Sequence, residues 1–493
     1  MPAEYPPHAG QAPAATAPRD RPDPRTEQGK FTTGSTMRHV VVMTATGSVG
    51  LVAVFAVDAL NLFYIAQLGE EELAAAIGFA GTLLFFTISL AIGITIAATA
   101  VTSRALGRGD RAEARRLAGT SLLYMLVGTL ALVLLAYPFI PDLLALIGAR
   151  GRTADVAAGF MRIVLPSVPL LALGMCMSGI LRAVGDASRA MYVTLGAGFT
   201  AALLDPLFIF VFDLGVTGAA ISTVLSRFVL LGIGLYGCVR VHDLLAVPHR
   251  ADVVRTLKPF LVIALPAVAT QLATPVGNAY VTGAIASFGD SAVAGWAIVG
   301  RLMPVAFGAV FALSGSVGPI LGQNYGVGDR ARVNQTMRDA LTFGLLYVLA
   351  VWAVLAILRH PIADLFGATG DARDLVLFFC GWVAGTFVFT GALFVANAAF
   401  NNLGYALYAT AFNWGRATLG IVPFVWFGSR YGPEGALLGW GLGAVVFGVL
   451  AVIVCFRSIR TLPMDGDTNT SYDRAAEARP TAHSPFTSGK GAA

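Results

Sequence analysis

Two aspartates lie inside stretches that offer a charge no solvation. Asp58 sits in Val-Phe-Ala-Val-Asp-Ala-Leu-Asn-Leu-Phe-Tyr, and Asp205 in Ala-Ala-Leu-Leu-Asp-Pro-Leu-Phe-Ile-Phe. An ionisable side chain within bilayer hydrocarbon costs roughly 2.5 to 3.5 kcal/mol on insertion scales, so each asks for a reason. A lone carboxylate there can take up a proton, or can ligate a small cation. The structural alternative for Asp205 is that it satisfies backbone groups freed where Pro206 breaks the helical ladder. Asn or Ser would do that without a charge, which favours the chemical role. For Asp58 the alternative is a buried pair with Arg227 or Arg301. Asp58 precedes Gly69 by eleven residues and Asp205 precedes Gly215 by ten. At about 1.5 Å of rise per residue, both carboxylates are expected at one depth, in one pocket. Thr223, in Gly-Ala-Ala-Ile-Ser-Thr, offers a hydroxyl to a bound ion, or to its own backbone as Ser and Thr in membrane helices commonly do.

The rest of the chain is built to hold such groups in a membrane. Hydrophobic residues make up 56% of the 493, charged residues 12%, and the mean hydropathy is +0.73. That is far from the balance of a soluble globular domain. Stretches of membrane-spanning length run over 37–68, 74–103, 117–140, 156–180, 189–212 and 215–239, then 259–288, 292–323, 337–358, 374–400, 406–428 and 434–456. The pattern predicts an all-α integral membrane protein of about twelve transmembrane helices in two six-helix lobes. The expected division is a disordered tail over 1–36, an N-lobe over 37–240, a linker over 241–258, a C-lobe over 259–457 and a second disordered tail over 458–493.

The two lobes repeat one unit. Gly-Arg-Gly-Asp-Arg at 107–111 returns as Gly-Val-Gly-Asp-Arg at 326–330, while Gly69, Gly185, Pro206 and Gly215 are answered by Gly289, Gly404, Pro423 and Gly432, all at offsets of 217 to 220 residues. Carriers commonly place substrate between two such units. Asn278 takes the repeat position of Asp58, so the N-lobe holds the titratable groups and ion coupling is assigned to it. In the C-lobe, Gln271, Asn278, Asn397, Asn401, Asn402 and Asn413 either face substrate or tie helices together. Met175, Met303 and Phe307 are candidates for an adaptable apolar cavity, or for ordinary helix packing. Arg301 and Arg416, also within spans, are expected in buried ion pairs.

A net charge of +5 does not point to nucleic acid, because the basic residues occupy alternate short loops. Arg104, Arg108, Arg111, Arg115 and Arg116 follow the second span, Arg182 and Arg189 the fourth, and Arg240, Arg250, Arg255 and Lys258 the sixth. Arg330, Arg332 and Arg338 follow the eighth, and Arg457 and Arg460 the twelfth. The positive-inside rule makes these loops and both termini cytoplasmic. Arg150, Arg152, Arg359 and Arg373 run against it. Cys176, Cys238, Cys380 and Cys455 fall within spans, where thiols act as small hydrophobes. The sequence contains no Walker loop, paired-histidine metal motif or nucleophile elbow, which speaks against a membrane enzyme.

Gly-Ile-Leu-Arg-Ala-Val-Gly-Asp-Ala at 179–187, Leu-Leu-Asp-Pro-Leu-Phe-Ile-Phe at 203–210 and Gly-Val-Thr-Gly-Ala-Ala-Ile-Ser-Thr at 215–223 resemble the multidrug and toxic compound extrusion family. Leu-Gly-Glu-Glu-Glu-Leu-Ala-Ala at 68–75 and Gly-Gln-Asn-Tyr-Gly-Val-Gly at 322–328 do so as well. The resemblance implies two six-helix lobes around a central cavity and exchange of an inward proton or sodium ion for an outgoing amphipathic compound. It places Asp205 and Thr223 at ion-site positions. It also puts Asn61 where the family's first-helix aspartate stands, with Asp58 one turn away on the same face. Thr46 stands where the family has a proline, whose counterpart in the second half is Pro266. Ala201 stands where an asparagine is usual, which favours a proton over sodium, because sodium needs several oxygen ligands. The acidic residues typical of the second lobe in the NorM-like branch are absent, which fits the DinF-like branch. The expected molecule is a monomeric antiporter of the cytoplasmic membrane with no cofactor, exporting a small amphipathic, cationic compound. A flippase for a lipid-linked precursor and a polytopic membrane enzyme acting on lipids are the alternatives.

Overall fold

A chain embedded in lipid must satisfy its backbone N–H and C=O groups internally, and an α-helix does so within each segment. The computed structural model, which describes residues 29–66 and 71–462, is helical throughout, with no strand among the described residues. The first half contains α1 (Thr36–Ala66), α2 (Glu71–Gly107), α3 (Arg111–Ala136), α4 (Ile140–Leu146), α5 (Gly151–Val164), α6 (Val168–Val184), α7 (Ala187–Pro206) and α8 (Gly215–Leu235). The second half contains α9 (Arg250–Ala286), α10 (Asp290–Ala306), α11 (Gly308–Gly326), α12 (Arg330–Leu365), α13 (Gly370–Gly381), α14 (Phe387–Leu403), α15 (Ala406–Gly415), α16 (Ile421–Gly428) and α17 (Gly432–Thr461).

Ten stretches among the described residues are long and apolar enough to cross a bilayer, and α10 with α11, bent by 47°, supply an eleventh. One of the ten, Ala406–Thr461, has 56 residues, more than twice the length a bilayer needs. It turns back at Gly432, where φ is +90°, and α17 then packs along α16. The stretch therefore crosses twice, and twelve crossings result. The helices outrun the apolar spans at the basic end: α9 begins at Arg250, within the expected linker, and α3 begins at Arg111. Hydropathy marks the hydrocarbon, whereas a helix continues to its cap. Asp110 accepts from the Glu113 N–H and Asp329 from the Arg332 N–H, each at 2.8 Å, capping the two repeats alike.

The internal repeat is a repeat of backbone geometry. Gly109 and Gly328 have φ of +75° and +81°, and Gly185 and Gly404 have +90° and +93°, closing α6 and α14 in left-handed conformation. Gly69 and Glu70 lie outside the described residues.

The basic loops gather at one end of the bundle. Arg115 pairs with Asp243 at 2.8 Å, Arg255 with Glu113 at 3.3 Å, and Arg330 donates to the Leu462 carbonyl. Two of the four arginines that run against the charge rule meet carboxylates at the opposite end, Arg152 with Glu72 at 3.7 Å and Arg373 with Asp364. Residues 29–35, expected as part of a disordered tail, are ordered: Phe31 is 1% exposed and packs into the C-lobe core. Residues 1–28 and 463–493 of the two expected tails lie outside the described residues.

Lobe packing relies on glycine where helices touch at backbone distance. Gly435, Gly439 and Gly443 form a stripe on α17 that faces α16. A Cβ on Gly439 would meet the Phe424 carbonyl oxygen at 2.3 Å, whereas one on Gly283 of α9 would meet nothing within 4 Å. Overpacking at backbone contact costs about 1 to 3 kcal/mol or more. Gly439→Val should therefore lower the melting temperature of the purified protein by several degrees, and Gly283→Val should leave it within error of the wild type.

Candidate ion site and the seal between the lobes

Asp205 is the penultimate residue of α7, where Pro206 cannot donate to the ladder and the next residues, Leu207–Val211, widen into a π-turn. Its side chain is 1% exposed. Asn61 of α1 donates its Nδ2–H to Oδ2 at 3.0 Å, while Oδ1 is buried with no hydrogen-bond partner among the described residues. The carboxylate is thus not occupied with the backbone that Pro206 disrupts. Ser222 of α8 is a further polar neighbour, and its hydroxyl also reaches the Ala201 carbonyl at 3.5 Å. Ile65 at the end of α1 and Ile209 in the π-turn, both fully buried, belong to the apolar cluster at this end of the N-lobe. Such surroundings make every polar contact of the carboxylate count for more than it would in water.

The structure brings Asp205 and Asn61 together, and distributes the other candidates differently. Thr223 donates its hydroxyl to the Ala219 carbonyl of its own helix at 2.9 Å. Ser222, one residue earlier, is the hydroxyl beside the carboxylate, and a rotation of about 100° per residue separates the two. Asp58 lies on α1, and its side chain is outside the described residues. Phe307 does not line a cavity: it is 0% exposed and stacks on Phe387 with ring centroids 4.1 Å apart, inside the C-lobe core. Met175 and Met303 are half-buried against the cores of their lobes. Gln271 and Asn278 are half-buried on α9.

Of the other buried amides, Asn413 of α15 donates to the side-chain oxygen of Asn397 on α14 at 3.0 Å and ties the two helices, whereas Asn402 donates to the Ala398 carbonyl of its own helix at 2.8 Å. Among the described residues, the arginines within spans show no ion pair. Arg227 donates to the Val164 carbonyl at 2.9 Å and the Ser167 hydroxyl at 2.7 Å, and Arg416 to the Thr274 hydroxyl at 3.2 Å. Arg301 is exposed. A guanidinium presents five donors, so carbonyls and hydroxyls can hold it without a carboxylate.

At the basic end the lobes close on each other through a reciprocal contact. Arg104 of α2 donates to the Asn402 and Asn401 carbonyls at 2.8 and 3.0 Å, capping the end of α14 in the other lobe. Gln323 of α11, at the repeat position of Arg104, donates to the Ala183 carbonyl at 2.7 Å, capping the end of α6. Ala183 is in turn the repeat position of Asn402. The glycines follow the same rule: a Cβ on Gly107 would meet the Gln323 carbonyl at 2.1 Å, and one on Gly326 the Arg104 carbonyl at 2.2 Å.

The segment before α1 locks this seal. The Phe31 N–H donates to Gln323 Oε1 at 2.8 Å, Lys30 donates to the Gly185 carbonyl at 2.7 Å, and Arg332 donates to the Phe31 carbonyl at 2.9 Å. Asp186, just beyond α6, caps α7 by accepting from the Arg189 N–H at 3.0 Å and also binds His242 at 2.7 Å. Burial pushes its carboxyl up, but the donors from Arg189 and His242 outweigh that and hold it below the usual carboxylate range. The sequence reading assigned Arg104 to topology alone and missed Gln323. The signal was present in their shared repeat position.

Twelve crossings in two like-built lobes, a buried carboxylate in one of them and a seal at one end describe a membrane transporter. The profile of the MatE family matches residues 48–207 and 266–426, one block in each lobe. The chain belongs to this family of multidrug and toxic compound extrusion transporters. An FAD transporter of Shewanella oneidensis is 29% identical over 428 residues, covering 85% of this chain and 94% of that protein. The multidrug export protein MepA of Staphylococcus aureus is 25% identical over 312 residues, covering 62% and 68%. A mutant form of the MATE transporter VcmN of Vibrio cholerae has a solved structure that superposes with a TM-score of 0.83 at 26% identity, over 88% of this chain and 99% of that one.

Gln323 fastens α6, α11 and the segment before α1 at once, so its loss should loosen the seal. In a cysteine-free background carrying Ser103→Cys, which lies buried between the lobes, Gln323→Leu should raise labelling by a membrane-impermeant maleimide severalfold from the basic side. Unchanged labelling would mean that apolar packing alone keeps the lobes closed.

Proposed function

We propose that this transporter is a secondary antiporter that exports small amphipathic, cationic compounds in exchange for inward protons carried by Asp205. The observation that carries the reading is a fully buried carboxylate beside Asn61 and Ser222, one of whose oxygens has no hydrogen-bond partner among the described residues. An anion so placed is costly, and a neutral acid is far less so. One proton crossing 100 mV supplies about 2.3 kcal/mol. Asp58, one turn from Asn61, is the second carboxylate of the same reading. Proton use over sodium is supported by the dipoles around Asp205. Asn61 presents its N–H rather than its carbonyl, and Thr223 spends its hydroxyl on Ala219, which leaves few oxygens for a dehydrated sodium ion.

The positive-inside rule makes the basic end cytoplasmic, with both termini on that side of the inner membrane. A seal at that end then corresponds to the outward-facing state, in which Asp205 takes its proton from outside. The absence of the second-lobe acidic residues typical of the NorM-like branch supports the DinF-like branch, and the protein acts as a monomer without a cofactor. The relatives are named for FAD and for drugs, which does not favour a lipid-linked substrate. The Shewanella oneidensis protein supports adding flavin nucleotides to a substrate panel of cationic dyes and antibiotics.

In proteoliposomes without sodium, an inward-directed pH gradient should drive substrate export that a protonophore abolishes. Asp205→Asn should insert normally and lose most of that flux, because without an ionisable carboxyl the gradient has no group to act on. Flux that needs sodium and survives the protonophore would exclude the proton. Full flux in Asp205→Asn would exclude the residue.

A further inference from the structure

Away from the Asp205 site, three arginines line a cleft between α12 and α17 at the basic end. We propose that this cleft binds the phosphate headgroup of an anionic phospholipid. It encloses about 400 Å³ and is lined by Arg338 of α12 and by Val452, Ile453, Phe456, Arg457 and Arg460 of α17. The adjoining helix ends are tied together by the bond from Arg330 to the Leu462 carbonyl. Among the described residues none of the three guanidiniums has a hydrogen-bond or ion-pair partner. The neighbouring carboxylate, Asp339, is turned into the protein, where it accepts from Thr36 and from Gln335. Three like charges around one cleft repel each other, and a phosphate set among them removes that cost while accepting their N–H groups in pairs.

The walls argue for a lipid rather than a soluble anion. On α17, exposed Val446, Val449, Leu450 and Ile453 follow one another at helical spacing on the face that carries Arg457 and Arg460. On α12, exposed Leu345 and Leu349 continue the face of Arg338. Each helix thus presents an apolar strip that ends in arginine at the cleft. Acyl chains fit the strips and the headgroup fits the cleft, the arrangement expected of basic pockets between transmembrane helices. A free phosphate would leave the strips unused.

The test is a thermal titration of the purified protein in neutral detergent with phosphatidylglycerol, phosphatidylcholine or inorganic phosphate. Phosphatidylglycerol alone should raise the melting temperature of the wild type. The triple exchange Arg338→Gln, Arg457→Gln, Arg460→Gln should need on the order of 100-fold more of it for the same rise. A control triple at exposed basic positions elsewhere, Arg38→Gln, Arg108→Gln and Arg240→Gln, should respond as the wild type does. If the lipid-free triple variant is unfolded, Arg457→Gln alone carries the comparison, with a loss of about fivefold. The proposal is overturned by an unshifted titration in the cleft variants, by an equal loss in the control, or by equal stabilisation with inorganic phosphate.

Discussion

The carbonyls at the ends of α6 and α14 have no partner within their own helices, and the structure answers both from the opposite lobe. Arg104 and Gln323, two copies of one position in the repeat, each cap the other lobe. Helix C-termini are electronegative and favour donors and cations, so the seal is built from what any helix end requires. It also ties the two lobes to each other at the basic end. Glycine at 107 and 326 lets the backbones approach, and a side chain at either position would hold the seal open.

Opening the basic end exchanges those bonds for bonds to water. A hydrogen bond exchanged in this way is worth about 1 kcal/mol net, and somewhat more when one partner is charged. Five such bonds from Arg104, Gln323, Lys30 and the Phe31 N–H give a barrier of several kcal/mol. That is of the order of what one or two protons supply across a membrane potential of about 100 mV, with any pH gradient added. In the proposed mechanism Asp205 delivers it: α7 and α1 meet at its carboxylate, where Asn61 and Ser222 are its polar neighbours among the described residues. On that proposal, neutralising the charge would change which packing of α1 against α7 is cheapest, and α1 packs against both α7 and, in the other lobe, α11. A difference in packing energy of a few kcal/mol is enough to shift a two-state equilibrium from one side to the other.

Much of this was legible in the sequence, for reasons that differ by residue. Asp205 stood out because a carboxylate in an apolar stretch has no inexpensive explanation. The repeat stood out because its glycines hold left-handed conformations that other residues avoid. The crossing number followed from hydropathy, whereas the bend between α10 and α11 did not. For Phe307 the sequence left cavity lining and core packing open, because a phenylalanine that stacks in a core and one that lines a cavity have the same helical spacing, and the structure shows packing. Thr223 and Ser222 are one residue apart, and only the rotation of α8 decides which faces Asp205. The seal left little trace because its acceptors are backbone carbonyls, which every residue supplies. The arginines within spans were expected to seek carboxylates, whereas Arg227 is held by the carbonyl at the end of α5 and Arg416 by the Thr274 hydroxyl.

The central claim is that Asp205 changes protonation during the cycle. Difference infrared spectroscopy of the reconstituted protein across a pH titration tests it most directly. The account predicts a protonated-carboxyl C=O band that fades as the pH is raised and is missing in Asp205→Asn. A wild-type spectrum with no such band, or a band that persists unchanged in Asp205→Asn, would contradict it.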